Sequence, residues 1–552
     1  MIADIHITEK SFGDKTLMKD VKFSVDDGEK VGVVGRNGVG KSTLFGILSG
    51  KDTDYTGEVI FRRGITVATT AQEHHGLGDQ TVMSYILGGL PEYSKLKKII
   101  DEYPLTMGDN MRKIEEYTQA LERFDQKGFY QVEEKIEREL SNFQLDGYGY
   151  RRISSLSGGQ KRLVEIVKIM HSEAHLALID EPTNHMDYVA KQQFIDWMNS
   201  QPHQAMLIIT HDRDVLGQVD RIVEIKDGQA VSYRGNYDAY LKQNAQATTA
   251  GMNNFEQIEK RIVNLKQKVL DYQRLKEKSR NPGTIQKFKR LENEARAELE
   301  ELSEMEKPTF WIDKESASQL DYKSAERYGK FKSRNIRLSM KDASSRSQHV
   351  LVRAENVAVG ISERILFEDV NIDLREGEAI EIRGRNGAGK TTLIRMILAS
   401  GKSFDGGPIL YSGDIFLDPQ VRIGVYEQEI DERYLSDPLE KAIEKLYMSR
   451  DLSISDTKIR QLLADYLFTD ADRMTPLARL SGGQKARFQI IAMLANDPQL
   501  LILDEPTNHL DLPSIEELET ALAKYSGAIL YVSHDNYFRE KLGGKVVQIG
   551  AE

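Results

Sequence analysis

The sequence predicts an α/β protein with two domains of the same kind, joined by an antiparallel α-helical coiled-coil hairpin. Three observations support this: short motifs occur twice in the same order, each set alternates buried-strand and helix patterns, and apolar residues between the sets follow heptad spacing. The 552 residues are enough for two separate hydrophobic cores. We place the first domain at residues 1–241, the hairpin linker at 242–348 and the second domain at 349–552.

The first repeated motif is a glycine-rich loop that follows a strand and opens a helix. It reads GRNGVGKS in the first domain and GRNGAGKT in the second. Such a loop directs backbone N–H groups at phosphate oxygens, while its lysine reaches the outer phosphates and its hydroxyl holds Mg²⁺. Both copies therefore predict a nucleoside triphosphate site. The predicted contacts are Gly35, Asn37, Gly38, Gly40, Lys41, Ser42 and Thr43 in the first copy, and Gly384, Asn386, Gly387, Gly389, Lys390, Thr391 and Thr392 in the second.

Three further motifs follow each loop in the same order. LSGGQ occurs at 156–160 and 480–484, and a strand-like run ending in Asp-Glu and followed by Pro-Thr-Asn-His occurs at 176–185 and 500–509. A His-Asp pair then follows another buried strand in each copy. Phosphoryl transfer needs positioning and charge stabilisation more than covalent chemistry, so these polar residues at strand ends suit ATP hydrolysis.

The order of these motifs resembles the ATP-binding cassette superfamily, and the resemblance covers nearly all of both halves. It implies two P-loop NTPase domains that close head to tail within one chain, which is then expected to be a monomer. Each ATP would lie between the glycine loop of one cassette and the LSGGQ motif of the other. The glutamates after the buried strands, Glu181 and Glu505, would polarise the attacking water, and His211 and His534 would sense the γ-phosphate.

The same resemblance assigns the remaining contacts of ATP and Mg²⁺. We call the two LSGGQ motifs the signature motifs, and the helices that begin at them the signature helices. The signature residues expected at ATP are Ser157, Gly158, Gly159, Gln160, Ser481, Gly482, Gly483 and Gln484. The residues expected at Mg²⁺ are Ser42, Gln72, Asp180, Thr391, Gln428 and Asp504. Phe12 is placed to stack on adenine, whereas the aligned residue of the second copy is Ile361. The second site therefore either holds adenine more weakly or uses an aromatic residue elsewhere.

The segment between the two motif sets predicts a hairpin with a basic tip. Apolar residues recur at heptad spacing on both sides of Asn281-Pro282-Gly283, with either Leu291 or Glu292 at one core position. The chain has a formal net charge of −11, so cations gathered at one turn point to a local contact with a phosphate backbone. The predicted RNA-binding residues are Arg274, Lys276, Lys278, Arg280, Lys287, Lys289 and Arg290.

The first domain carries an insertion near residues 95–145. This stretch is strongly charged, and Ile114, Tyr117 and Leu121 follow helical spacing. It predicts extra helices, which either form an arm that meets a partner or a solvated surface pair without one.

Composition excludes several classes of protein. With 40% hydrophobic and 29% charged residues the chain is of the ordinary globular kind, and its apolar runs fall well short of the roughly 20 residues of a membrane-spanning helix. The first residues lack the pattern of a secretory signal, and cysteine is absent, which excludes thiolate zinc modules. We expect a cytoplasmic protein.

Twin cassettes, a coiled-coil linker and no membrane domain resemble the ABC-F family of ATPases. The resemblance implies binding to rRNA and tRNA on the ribosome, with the hairpin directed at the P-site tRNA and the peptidyl-transferase centre. Two subtypes stay open: a factor that modulates translation, which the short turn favours, and a ribosome-protection factor that gives antibiotic resistance. A DNA-associated ATPase and the fused nucleotide-binding subunit of an ABC importer are the alternatives from other classes.

Overall fold

The computed structural model divides the chain into two compact units. One unit comprises Met1–Tyr237 and Ile336–Glu552, which contain both cassettes, and the other is Asp238–Asn335. The second unit starts and ends earlier than the predicted linker of residues 242–348. At its start, a bend at Gly235 and Asn236 ends the last strand of the first cassette, and one helix then runs from Tyr237 into the heptads. The structure describes residues 1–12, 15–70, 79–108, 110–184, 186–303, 305, 307–318, 322–338, 349–361, 364–402, 407–427 and 430–550.

The described part of the first cassette contains strands in two sheets. The strands are β1 (Ala3–Phe12), β2 (Lys15–Val25), β3 (Lys30–Gly35), β4 (Thr56–Phe61), β5 (Val67–Thr69), β6 (Leu176–Asp180), β7 (Ala205–Ile209), β8 (Arg221–Lys226) and β9 (Gln229–Arg234). The antiparallel sheet has the order β2-β1-β4, and the larger sheet has the order β5-β6-β7-β3-β8-β9. Strands β3, β6 and β7 pair in parallel. Their nearly continuous apolar runs are buried, as parallel strands covered by helices require.

Helices surround this larger sheet and also form the insertion. They are α1 (Lys41–Leu48), α2 (Val82–Gly88), α3 (Tyr93–Thr106), α4 (Met111–Gln126), α5 (Val132–Asn142), α6 (Gly158–His171), α7 (Tyr188–Ser200) and α8 (Arg213–Leu216), with 3-10 turns at Phe129–Gln131 and Ile153–Ser155. The predicted insertion corresponds to α3, α4 and α5. Its core is aromatic, because the rings of Tyr93, Phe124 and Phe129 lie 5.2 to 5.6 Å apart.

The second unit is built on a helical hairpin. Its helices are α9 (Tyr237–Lys278), α10 (Pro282–Ser303), α11 (Lys314–Ser318) and α12 (Tyr322–Phe331). The turn between the two long helices is short, and the Asn281 side chain accepts a hydrogen bond from the Gly283 N–H at 2.9 Å. A separate apolar cluster is formed by Met252, Ile312, Tyr328 and Phe331. The predicted hairpin is confirmed, although its break lies at residues 279–281, because Pro282 and Gly283 already form the first turn of α10.

The hairpin core contains one charged residue among apolar ones. Leu265, Val269 and Ala295 are buried, and Glu292, which is only 5% exposed, occupies the position that the heptad pattern left open. Its carboxylate accepts hydrogen bonds from Lys276 at 2.5 Å, Arg296 at 3.1 Å and Gln273 at 3.2 Å. The Lys276 hydrogen bond lowers the pKa of Glu292, so the carboxylate stays charged. We call these four polar residues, Gln273, Lys276, Glu292 and Arg296, the hairpin polar cluster.

The second cassette repeats the architecture of the first. Its strands are β10 (Val350–Ile361), β11 (Arg364–Arg375), β12 (Ala379–Arg383), β13 (Ile409–Leu417), β14 (Ile423–Tyr426), β15 (Leu500–Asp504), β16 (Ala528–Val532) and β17 (Lys545–Gln548). Its helices are α13 (Lys390–Leu398), α14 (Glu432–Leu435), α15 (Leu439–Met448), α16 (Asp456–Asp465), α17 (Asp470–Arg473), α18 (Gly482–Leu494), α19 (Leu512–Ala523) and α20 (Asn536–Leu542), with a 3-10 turn at Leu477–Arg479. The sheets have the orders β11-β10-β13 and β14-β15-β16-β12-β17. The predicted pair of α/β domains is confirmed.

Candidate active sites

Each glycine-rich loop lies between a buried strand and a helix. The residue before α1 is Gly40 at φ 103°, and the residue before α13 is Gly389 at φ 99°. Both angles belong to the left-handed region that favours glycine. A Cβ atom on Gly40 would also lie 2.9 Å from the Leu17 side chain. The loop therefore needs glycine there for its backbone angle and for the close packing beneath it.

The loop lysines point back into the loops that carry them. Lys41 Nζ donates to the carbonyl oxygen of Gly35 at 2.6 Å, and Lys390 Nζ donates to that of Gly384 at 2.9 Å. Burial lowers the pKa of both lysines, and neighbouring carboxylates oppose that shift. Each ammonium group is thus held inside the curve of the loop, where an outer phosphate of a nucleotide would meet it.

A hydroxyl and a carboxylate meet at the carboxyl end of a central strand in each cassette. Ser42 Oγ donates to Asp180 Oδ2 at 3.2 Å, and Thr391 Oγ1 donates to Asp504 Oδ2 at 2.7 Å. Oxygen donors of this kind are the ligands that Mg²⁺ prefers. The residues at both sites therefore fit the predicted metal.

The two glutamates that follow these aspartates have strained backbones. Glu181 has φ 46° and Glu505 has φ 52°, backbone angles that residues other than glycine rarely adopt. Burial raises the pKa of Glu181 to about 8 and that of Glu505 to about 7, against the opposing charges of the loop lysines. Such strain and displaced pKa values are concentrated at functional sites in proteins.

The two histidines lie beside these glutamates. His211 Nε2 is 3.6 Å from Glu181 Oε1, and His534 Nε2 is 3.3 Å from Glu505 Oε1. Burial lowers the pKa of each imidazole to about 3, so both rings are neutral. Within the described part of the chain, both ring nitrogens of His211 and Nε2 of His534 are buried without a hydrogen-bond partner. Buried polar atoms of this kind point towards a ligand that completes the site.

The two cassettes meet head to tail across these loops. Asn37 donates its backbone N–H to Asp511 Oδ2 at 3.1 Å and its side-chain amide to the His509 carbonyl at 2.9 Å. At the other site the Asn386 N–H donates to Asp187 Oδ2 at 3.1 Å. A Cβ atom added to Gly483 would lie 2.1 Å from the Asn37 amide nitrogen. The second LSGGQ motif therefore approaches the first glycine-rich loop so closely that any side chain at position 483 would displace the Asn37 side chain.

One cavity of about 1590 Å³ holds most of the predicted residues of both sites. The predicted residues that line it are Phe12, Asn37, Gly38, Gly40, Lys41, Ser42, Thr43, Ser157, Gly158, Gly159, Gln160, Asp180, Glu181, His211, Asn386, Gly387, Gly389, Lys390, Thr391, Thr392, Ser481, Gly482, Gly483, Asp504, Glu505 and His534. Ile361 lines it as well, with 48% of its surface exposed, against 59% for Phe12. Gly35 and Gly384 instead provide the carbonyl oxygens that hold the lysines.

The signature glutamines act on the backbone in this structure. Gln160 Oε1 accepts from the Ser157 N–H and Gln484 Oε1 accepts from the Ser481 N–H, both at 2.9 Å. Each serine hydroxyl accepts from the glutamine N–H in return, which completes a capping box at the start of α6 and α18. Both glutamines therefore fix the shape of the signature helix. Gln72 and Gln428, predicted at Mg²⁺, lie outside the described residues.

Sequence reasoning missed the residues that carry the contacts between the cassettes. Asp187, His509 and Asp511 all meet the opposite glycine-rich loop. They belong to the repeated Pro-Thr-Asn-His-(Met/Leu)-Asp run, so the repeat itself was a signal that could have found them.

The predicted RNA-binding residues fall into two groups, one half-buried in the hairpin and one exposed at its turn. Lys276 is part of the hairpin polar cluster and is half-buried. The other six are exposed around the turn: Arg274, Lys278, Arg280, Lys287, Lys289 and Arg290. Of these, Arg290 lies 3.5 Å from Glu294 on the same helix. The turn thus presents a concentrated positive surface.

Paired P-loop domains that share two composite triphosphate sites define a twin-cassette ATPase. A profile of the ABC transporter family matches residues 18–184 and 367–508. The chain belongs to the ATP-binding cassette family and, within it, to the F family, as predicted. It binds ATP and hydrolyses it to ADP and phosphate.

Similar proteins match along nearly the whole chain. The putative ATP-binding protein YdiF of Bacillus subtilis (strain 168) is 30% identical over 100% of this chain and 80% of its own length. ABC transporter F family member 2 of Arabidopsis thaliana is 29% identical over 98% of this chain and 75% of its own length. The ribosome protection protein VmlR of Bacillus subtilis (strain 168) is 27% identical over 96% of this chain and 83% of its own length. Among the described residues, the helices are all too short or too polar to cross a membrane.

Replacing Ser481 by arginine is expected to lower hydrolysis at the site that holds Lys41 by at least about tenfold, because the new side chain blocks the close approach of the signature helix and removes its N-cap. The measurement is phosphate release in a Glu505→Gln background, in which the first site alone turns over. Ser157→Arg in the same background is the matched control, and it should have the smaller effect. A larger loss from Ser157→Arg would contradict the head-to-tail pairing.

Proposed function

We propose that this chain is an ATPase that acts on the ribosome and modulates translation. One observation carries the proposal: a chain of net charge −11 gathers six exposed cations around the turn of a helical hairpin. Such a turn suits a phosphate backbone, while the rest of the surface discourages general binding to polyanions. The relative VmlR, which matches over 96% of this chain, bears the name of a ribosome protection protein.

In this proposal the two sites hydrolyse ATP by positioning and electrostatics. The lysines Lys41 and Lys390 bind the outer phosphates, and the signature glycines of the opposite cassette close over them. Glu181 and Glu505 orient and polarise the attacking water, while His211 and His534 donate to the γ-phosphate through ring nitrogens that are buried without a partner. Hydrolysis therefore requires closed cassettes, because each site takes groups from both.

Mg²⁺ would be held at each site by oxygen atoms that already lie together. Ser42 with Asp180 would hold one ion, and Thr391 with Asp504 would hold the other. When bound, the ion neutralises charge on the phosphates. Gln72 and Gln428 remain proposed ligands from the sequence.

The hairpin would reach into the ribosome towards the P-site tRNA and the peptidyl-transferase centre. As an α-helix of 42 residues, α9 is about 60 Å long, which is enough to extend an RNA-binding turn far from the base of the hairpin. The short turn between Lys278 and Pro282 favours a factor that modulates translation over one that displaces a drug, since a longer loop would reach further.

Co-sedimentation with ribosomes tests the proposal directly. The chain is incubated with ribosomes and a non-hydrolysable ATP analogue, and pelleting is measured across a salt series with duplex DNA or membrane vesicles as competing partners. We expect salt-dependent pelleting that the analogue increases and that neither competitor removes. Absence of pelleting with ribosomes would refute the ribosomal assignment. Binding to the duplex DNA competitor in place of the ribosome would refute it as well and would support the DNA-associated alternative.

A further inference from the structure

A buried lysine of the first cassette reaches the active-site histidine loop of the second. Lys191 lies on α7 and is 5% exposed. Its Nζ atom donates to the backbone carbonyl of His534 at 2.9 Å. Within its own cassette, Lys191 pairs with Asp214 at 2.5 Å and with Asp212 at 3.4 Å. The lysine therefore joins two loops that belong to different cassettes.

Both ends of the His534 residue are held in this arrangement. Its N–H donates to Glu505 Oε2 at 3.2 Å, and its carbonyl oxygen accepts from Lys191. Lys191 therefore contacts Glu505, the glutamate that we assign to water activation at the second site, indirectly through the His534 backbone. Although burial lowers the pKa of Lys191, Asp212 and Asp214 together raise it, so the amine stays charged and remains a strong donor.

Asp212 connects the same lysine to the first site. It directly follows His211, and its side chain accepts from the N–H groups of Asp214 and Val215 at the start of α8. Movement of the His211 loop would therefore displace a carboxylate that holds Lys191. A continuous path of contacts runs from the loop of one active-site histidine to the loop of the other.

The second cassette cannot make the reciprocal contact. Ile515 occupies the position equivalent to Lys191, because each lies four residues after the aspartate that ends its repeated run, and Tyr537 is equivalent to Asp214. Isoleucine has no donor for the His211 carbonyl. A second interface ion pair is one-sided in the same way, because Arg213 binds Glu519 at 2.8 Å while their counterparts are Asn536 and Ile195.

We infer that Lys191 is a positioning residue that holds the His534 loop when the cassettes close. Through this contact, turnover at the second site depends on a residue of the first cassette, whereas the first site has no equivalent contact from the second cassette. The inference rests on the proposed roles of Glu181 and Glu505. Lys191 contacts a backbone carbonyl, not the phosphate loop, so its loss should affect the catalytic rate at the second site more than the affinity for ATP.

The test separates the two sites with single glutamate variants. In Glu181→Gln only the second site turns over, and there Lys191→Met should lower kcat at least about tenfold with little change in KM, because a misoriented catalytic group loses rate. In Glu505→Gln, where only the first site turns over, the loss should be several-fold smaller. Lys191→Arg, which keeps a donor, should restore part of kcat. Ile515→Met, the control, places methionine at the equivalent position of the second cassette. It should not produce a larger loss of kcat at the second site than at the first.

Two results would overturn the inference: equal losses of kcat in both backgrounds, or no loss in either. Because Lys191→Met leaves Asp212 and Asp214 without their buried cation, the double variant Lys191→Met/Asp214→Asn is measured alongside it, and the same site preference is expected. Failure of the proposed function is seen separately. If Glu181→Gln and Glu505→Gln retain full hydrolysis before Lys191 is changed, the roles of the glutamates are wrong. The Lys191 contact is therefore tested only if each glutamate variant by itself lowers hydrolysis.

Discussion

The double variant Glu181→Gln/Glu505→Gln is expected to hydrolyse ATP at least about 100-fold more slowly than the parent chain while still binding it, because the water loses its polarising carboxylates and the phosphate cradle stays. Both glutamates are buried or nearly so, and burial raises their pKa values. Glutamine has nearly the same shape as glutamate and is always neutral, and burial already disfavours the charged form of both carboxyl groups, so folding should be little affected. Phosphate release and equilibrium binding of a fluorescent ATP analogue measure the two properties separately.

A matched control removes the same number of carboxylates elsewhere. Glu134 and Glu444 are exposed, with one in each cassette, so Glu134→Gln/Glu444→Gln should hydrolyse ATP like the parent. If the Glu181 and Glu505 variant also stayed near the parental rate, the catalytic assignment would be wrong.

Reversing the charge of the hairpin turn should remove most ribosome binding and spare basal ATP hydrolysis. The variant replaces five exposed residues by glutamate: Arg274, Lys278, Arg280, Lys287 and Arg290. Affinity should fall at least about tenfold at physiological salt, and each lost phosphate contact should reduce the slope of log affinity against log salt by about 1. Lys276 is left unchanged because it neutralises Glu292 inside the hairpin.

Pelleting is measured across a salt series in the Glu181→Gln/Glu505→Gln background, so that hydrolysis does not release the complex. The control exchanges arginine for lysine and lysine for arginine at the same five positions, which preserves the charge and should preserve binding. Exposed substitutions usually change stability by no more than about 0.5 kcal/mol, so a thermal melt should be unchanged. Parental affinity together with a parental salt slope would exclude the turn from ribosome recognition.

The sequence was informative about everything that a local pattern determines. The glycine-rich loops, the buried strands that end at Asp180 and Asp504, and the heptads of the hairpin each follow from short-range rules, and the fold that they predicted is confirmed. The assignments of individual site residues stay predictions, although the structure brings most of them to one cavity. Local rules work here because backbone angle and burial period are properties of a few consecutive residues.

Contacts between distant segments could not be read in the same way. The bond from Lys191 to the His534 carbonyl joins positions 343 residues apart and exists only where the cassettes meet. In the hairpin, the heptad pattern left Leu291 and Glu292 as equal alternatives, because a charged residue is buried only when partners on the facing helix neutralise it. The sequence predicts Lys276 as an RNA-binding residue from its position near the turn, because its partner across the hairpin can be identified only from the packing of α9 against α10.

The hairpin polar cluster determines what kind of mechanical element the hairpin is. Sliding α10 along α9 by one helical turn would separate Glu292 from Lys276 and leave a carboxylate next to apolar side chains such as Val269. That penalty, together with the stacked rings of Tyr272 and Phe288, resists shear between the two helices. A pair of helices that cannot shear bends as one beam, and its stiffness is greater than the sum of two separate rods. Displacement at the base of the hairpin would then be delivered to the turn as movement of a lever, with little lost to internal slip.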